Sequence, residues 1–477
     1  MDAAAQECSE ESLEVRADYA HHPKDGSDAD GPLAQADRRM NTSKRAALTS
    51  TSIDLAQRIA GVGAGLNRFC TARFLCRLDI SVSMMRVLFG LTLAALLAAA
   101  DDRLASIAEL EKSARAKVGV PARVVLVTGE SAPNYSRALG TFTDGGTRFE
   151  ELMQAVFFKG SVEPETKMAM GVRMAQSYKS AYPAAHLMRE MRASASGREI
   201  LRAMAAGKDA ELAPARLASI RYAERMARNI HGVDNTEFTR MRTHFNDSQI
   251  VELTLTVCFF SYWARLAEAL NLPLERWVLD TPAPARDGKY APPAARVGLI
   301  SDAQMEWARS VKGTVNSQRA MFLSPEIAAA WRAYGGAVRA RAELSREILL
   351  HVSFAVSMAN GCRYCTLHQV QGLRRLNVSP SKLMAMKKDD SQLTPRELAA
   401  VEFARKLTRE PASVTDADYA KLKAEFGERG ALEAVLQTCT FAFMNRFTDG
   451  LRLPSEDEAV RIYREVYGGD FVETGRD

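Results

Sequence analysis

Apolar positions along this chain recur at helical spacing. Residues 348–358 form an apolar run, and residues 399–407 place apolar side chains at helical intervals. Residues 250–270 are long and almost wholly apolar, and residues 431–451 have the same character. Strand-type alternation is scarce. Ala, Leu, Met, Glu and Arg are frequent, which favours helices. The pattern predicts an all-α protein. A Pro/Ala-rich stretch, residues 280–294, interrupts it and reads as a linker.

The pattern fails before residue 84. Residues 1–83 are rich in Ala, Asp, Ser and Arg without sustained periodicity, and read as disordered or as a mis-assigned upstream extension. Met84-Met85-Arg86 then opens a run from Val87 to Ala100 that carries no charge and ends Ala98-Ala99-Ala100. A positive start, a short apolar core and an Ala-x-Ala end make residues 84–100 a secretory signal peptide. The run is shorter than the ~20 apolar residues of a membrane span, so no stable span is expected. On this reading translation starts at Met84 or Met85 and the protein is periplasmic or secreted. A buried helix in a cytoplasmic protein, or a membrane anchor, is the alternative. N-terminal sequencing of the native protein decides; a mature chain beginning well before Met84 overturns the expectation.

Two stretches of the remaining chain match each other. Ala122-Arg-Val-Val-Leu-Val-Thr128 resembles Ala295-Arg-Val-Gly-Leu-Ile-Ser301. His186 and Met204 precede His368 and Met386 by one offset. Leu212-Ala-Pro214, Phe245, Cys258, Arg265 and Leu272-Pro273 precede Leu393-Thr-Pro395, Phe426, Cys439, Arg446 and Leu453-Pro454 by nearly the same one. The chain reads as a tandem duplication of a unit of about 160 residues, an ordinary domain size. The first domain is 121–279 and the second 295–477. Composition adds little: 47% apolar and 25% charged residues are ordinary for a globular protein, and the net charge of +5 is small. No Lys/Arg stripe interleaves with aromatics, so no nucleic-acid partner is expected.

The candidate chemistry sits in Met358-Ala-Asn-Gly-Cys362-Arg-Tyr-Cys365-Thr-Leu-His368. On a helix Cys362, Cys365 and His368 share one neighbouring patch. Two thiols three residues apart can close a disulfide, and the His can take a thiol proton or stabilise a thiolate. Other chemistries compete. A c-type haem needs His directly after the second Cys, but Thr366 stands there. Zinc would need a fourth ligand beyond three crowded on one helix. A structural disulfide fits an oxidising compartment. A thioredoxin fold needs strands that the pattern lacks. An all-α redox pair is the remaining reading. Cys258 and Cys439, inside apolar helices, read as small buried hydrophobes.

The segment Asn-Gly-Cys-Arg-Tyr-Cys-x-x-His resembles the active-site signature of the carboxymuconolactone decarboxylase-like family, and more closely its alkylhydroperoxidase (AhpD-like) branch. Leu393-Thr-Pro-Arg-Glu, Val414-Thr-Asp-Ala-Asp, Phe443-Met-Asn-Arg-Phe and Leu453-Pro454 look typical of the same family. The resemblance implies two tandem AhpD-like helical domains forming an intrachain pseudo-dimer, with further homo-oligomers common in the family. It implies a thiol-dependent peroxidase, with Cys365 attacking the hydroperoxide, Cys362 resolving it as a disulfide, and His368 in the proton relay. The implied partners are a hydroperoxide or other small-molecule substrate and an external thiol reductant; no cofactor or metal is implied.

The chain also departs from the family pattern. The Glu expected on the preceding helix is Leu350; Glu347, one turn earlier, and His351 are the substitutes at hand. Glu347 equally suits the first turn of a helix after Ser345, where a carboxylate favours the dipole. At matching positions the first repeat has Ser180, Tyr182, Pro183 and His186, with Met168 for the Glu, and so reads as catalytically dead. Glu165 matches Glu347 there. The alternative function is a non-redox member of the same fold: a small-molecule binding protein, a decarboxylase or a structural pseudo-enzyme.

Overall fold

A computed structural model describes residues 103–127, 129, 132–286, 315–340, 342–469 and 471. The upstream extension, the signal peptide, most of the 280–294 linker and the 295–301 copy lie outside the described residues. Among those described, every regular element is helical, as the apolar spacing predicts.

After α1 (Ile107–Ala116), the order of helices runs through twice. The first run is α2 (Asn134–Leu139), α3 (Gly145–Phe158), α4 (Pro164–Tyr178), α5 (Ala181–Arg192), α6 (Ala195–Ala205), α7 (Pro214–Arg228), α8 (Asn235–Arg242), α9 (Asp247–Ala269) and α10 (Arg276–Asp280). The second is α11 (Asn316–Met321), α12 (Pro325–Arg339), α13 (Arg346–Asn360), α14 (Arg363–Arg375), α15 (Pro380–Lys388), α16 (Pro395–Arg409), α17 (Asp416–Gly450) and α18 (Asp457–Tyr467). Helix α17 stands where α8 and α9 stand in the first run. Gly427, at φ 69° and ψ −177°, breaks it at the matching place. That backbone suits glycine, which has no Cβ to clash.

The starts of these helices are written locally. Thr394 and Glu397 form a capping box at the start of α16, with Pro395 in the first turn. Ser345 caps α13, and Glu347 lies in its first turn as expected. Their packing is not local. The apolar stretch of helix α9 is wholly buried, and although long and apolar enough for a membrane span it forms part of the core. It packs along α17, and α3 packs along α12. Tyr262 of α9 and Tyr334 of α12 meet hydroxyl to hydroxyl at 2.6 Å. Cys258 and Cys439 are free and fully buried in α9 and α17, and burial pushes both thiols up.

The matched arginines cross between the two runs. Arg265 Nη2 donates to Thr408 O of α16 at 2.9 Å, and Arg446 Nε donates to Met226 O of α7 at 3.2 Å. Each satisfies a carbonyl in the last turn of a helix, where no backbone N–H is available. Both guanidinium groups lie over the Tyr178 ring, at 4.9 and 5.9 Å.

Candidate functional site

Helix α13 leads into the cysteine motif and stops at Asn360. Gly361, at φ 69°, closes its end in the left-handed conformation. The chain turns at once into α14, and Cys362 is the N-cap of that helix. The sequence reading set Cys362, Cys365 and His368 on one turn of a single helix. The structure moves Cys362 just outside it, because the reversal between α13 and α14 needs an extended residue after the glycine. Its Sγ accepts the Cys365 N–H at 3.4 Å, the place a Ser or Asp oxygen usually fills.

Both thiols converge on α17. Cys362 Sγ and Cys365 Sγ each lie 3.4 Å from Thr448 Oγ1. The Thr448 hydroxyl donates to Met444 O at 3.0 Å, so its oxygen is left to accept from the thiols. Both cysteines are free; Cys362 is fully buried and Cys365 is 3% exposed. Tyr364 and Ile230 pack with them, with Phe441, Met444 and Leu453 alongside. Ile230 follows α7, so the first run of helices helps to close the thiol site. Burial, then the Cys365 thiol and the Asp449 charge, push the Cys362 thiol well above its ordinary range.

His368 points to a different partner. Its Nδ1 lies 2.8 Å from Tyr364 O, its Nε2 lies 2.7 Å from Glu456 Oε2, and its ring stacks on Tyr364 at 4.4 Å. Glu456 Oε1 also accepts the Asn316 N–H at 2.7 Å and the Tyr364 hydroxyl at 3.1 Å.

Burial opposes the Glu456 charge, but the His368 ring and the Asn316 N–H outweigh it and hold the carboxyl down at about 2. A depressed carboxyl stabilises the fold above its unfolded value, near 4.5, and that contribution is lost as pH falls through about 2. Thermal melts should therefore show wild type losing stability across that window. Glu456→Gln should start lower at neutral pH and close the gap in acid. Parallel curves for the two proteins would contradict the pairing.

Sequence reasoning did not single out Glu456 or Thr448. For Glu456 a signal existed: it ends Leu453-Pro454-Ser-Glu456, the match of Leu272-Pro273-Leu-Glu275. Glu275 holds the same company. It lies 3.1 Å from His186 Nε2, accepts the Tyr182 hydroxyl at 2.8 Å, and accepts the Asn134 N–H. Asn134 and Asn316 each donate from Nδ2 to a proline carbonyl, Pro273 O and Pro454 O, at 3.0 Å. The first run has Ser180 and Pro183 in place of the thiols, and Ser180 donates to Glu268 at 2.8 Å. A His–Glu–Tyr–Asn network that recurs without thiols serves the scaffold first, and orients Tyr364 beside Cys365 in the second run.

Glu347 is not brought to the cysteines. It starts α13 and Cys362 follows its end, so at 1.5 Å per residue they are on the order of 20 Å apart. Leu350, where the family pattern has Glu, packs over Gly372 of α14. Glu347 instead joins His351, Lys382 and Glu397. Lys382 Nζ donates to Glu347 Oε1 at 3.3 Å and to Glu397 Oε1 at 2.7 Å.

Known proteins bear on this segment. Residues 325–406 match the Carboxymuconolactone decarboxylase family. The matched family segment runs from α12 into α16 and includes both thiols, His368 and the Glu347 cluster; Thr448 and Glu456 lie beyond it. No curated protein matches the chain. Among solved structures, a cysteine-to-alanine variant of the debrominase Bmp8 in complex with 2,3,4-tribromopyrrole is similar at 22% identity. That match covers 32% of this chain and 82% of the debrominase, with a TM-score of 0.30.

Proposed function

We propose that the chain is an enzyme, a thiol-dependent oxidoreductase of the alkylhydroperoxidase-like type that reduces hydroperoxides through Cys362 and Cys365. The observation that carries this reading is the convergence of two free thiols on Thr448 Oγ1, each at 3.4 Å. Cys365 is the attacking residue, since it is the less buried and Cys362 is pushed toward the protonated form. The Cys365 thiolate attacks the peroxide oxygen, an S–O bond forms, the O–O bond breaks, and the alkoxide leaves as alcohol after taking a proton. Cys362 then attacks the sulfenic sulfur. The S–S bond forms and hydroxide leaves as water with the Cys362 proton. An external dithiol must reopen the disulfide.

The second reading, a non-redox carboxymuconolactone decarboxylase-like protein, is favoured by the burial of both thiols, which restricts access. Counting free thiols before and after one equivalent of organic hydroperoxide separates the two. Loss of two thiols supports the peroxidase; no loss over hours in reduced protein overturns it.

The same proposal takes the chain as a tandem duplication folded into an intrachain pseudo-dimer. The doubled helix order and the crossed Arg265 and Arg446 bonds support it. The first half acts by closing the thiol site through Ile230. Export through residues 84–100 belongs to the proposal and implies an exported reductant.

A further inference from the structure

We infer that Glu347, His351 and Glu397 form a site for one divalent transition-metal ion, in which the Lys382 ammonium is the displaceable occupant. Three observations carry this. The ligand atoms of the three residues all lie within 4.8 Å of one another. Glu347 and His351 are one helical turn apart on α13, so they chelate from one face. Glu397 Oε2 is committed to the Thr394 N–H at 2.8 Å and its hydroxyl at 3.1 Å, which fixes the orientation of Oε1, the oxygen that Lys382 Nζ now occupies at 2.7 Å.

His351 points to the same use. Its side chain is fully buried, with Nδ1 3.4 Å from Glu397 Oε1 and Nε2 3.7 Å from Glu347 Oε1. Neither ring nitrogen makes a hydrogen bond. Buried polar atoms almost always make hydrogen bonds, and a buried imidazole that lies between two carboxylates without one has a nitrogen to offer a metal ion. The first run of helices does without an imidazole or an ammonium here, while Glu165 matches Glu347. The matching positions of the first run carry Ala169 for His351, Ile200 for Lys382 and Arg216 for Glu397.

The charges fit exchange. Two carboxylates around one ammonium leave a net negative charge, and a divalent ion replacing the ammonium neutralises it. Lys382 is 20% exposed and Glu347 39%, so the lysine can swing to solvent and the ion can enter from that side. One imidazole and two carboxylates suit zinc, cobalt or manganese more than calcium. Bond lengths near 2.1 Å require the three ligands to draw in by roughly an ångström.

The site is independent of the thiol reading, and its test removes the thiols as competing ligands. In a Cys362→Ser/Cys365→Ser background, the chelator-treated full chain is titrated with Co²⁺ and its visible absorption followed. Zn²⁺ retained after dialysis is then measured by elemental analysis. One equivalent is expected. His351→Ala and Glu347→Gln should each weaken binding by at least about tenfold, and Lys382→Met should strengthen it by a similar factor. Glu347 is partly exposed, so its variant keeps the test valid if the His351 variant fails to fold. No stoichiometric retention, or retention unchanged by these substitutions, overturns the site.

Discussion

Replacing Cys365 with Ser should lower hydroperoxide consumption by at least ~10³-fold, because a serine hydroxyl is not ionised near neutral pH. Cys362→Ser should behave differently. The first step should survive, a single thiol should be lost, and the sulfenic acid at Cys365 should persist for trapping by a dimedone-type reagent. The asymmetry comes from the turn. Cys362 is the fully buried N-cap, facing Thr448 and the Cys365 N–H, while Cys365 is the thiol with residual exposure. Peroxide titration with mass spectrometry of the intact chain reads both steps. Sulfenic acid appearing on Cys362 in the Cys365→Ser protein would reverse the assigned roles. His368→Gln should have a smaller effect on the first step, since the ring engages Glu456 and the Tyr364 carbonyl.

Glu252→Ala should be the most destabilising of the single substitutions considered, by about 3–5 kcal/mol in urea unfolding. Lys167 Nζ lies 2.7 Å from Glu252 Oε1, with the two side chains 0% and 4% exposed. Burial pushes the Lys167 ammonium down while Glu252 holds it up. The same carboxylate accepts the Ser161 N–H at 2.8 Å and the Val162 N–H at 3.2 Å. Removing it strands a buried cation and two backbone donors at the entrance to α4. Glu433 does the matching backbone work in the second run, accepting the Glu343 and Leu344 N–H groups at 2.9 Å. Leu349 stands there in place of Lys167, and the cation on Glu433 is Arg429, which is 23% exposed and also donates to Thr141 O. Glu433→Ala should therefore cost less than Glu252→Ala, and Lys167→Met combined with Glu252→Leu should recover part of the loss. Equal losses for the two glutamates would show that the lysine contributes little.

Much of the fold was legible along the chain. Helical spacing predicted α9, α13, α16 and the second segment of α17. The capping pattern Thr394-Pro395-Arg-Glu397 marks a helix start by itself, because its bonds span three residues. The matched Arg265 and Arg446 were visible as a pair, although their crossed bonds were not. The cysteine motif was legible for a similar reason: three residues of spacing settle whether two thiols can meet.

What failed to show in the sequence depends on contacts between distant residues. The partner of His368 lies across the fold at Glu456, and the thiols share Thr448 of a helix far along the chain. Such pairings leave no local period, and for Glu456 only the match of Leu453-Pro454-Ser-Glu456 to Leu272-Pro273-Leu-Glu275 offered a clue. Glu347 was misleading for the opposite reason. It is near the motif in sequence, yet a straight helix carries it away at 1.5 Å per residue, to a cluster with His351, Lys382 and Glu397. The helical class could be read along the chain, because apolar spacing is encoded over a few residues. That Cys362 caps rather than joins its helix, that His368 lies against Glu456, and that Glu347 faces a buried histidine came only with the packed fold, because those outcomes rest on where whole helices begin, end and pack.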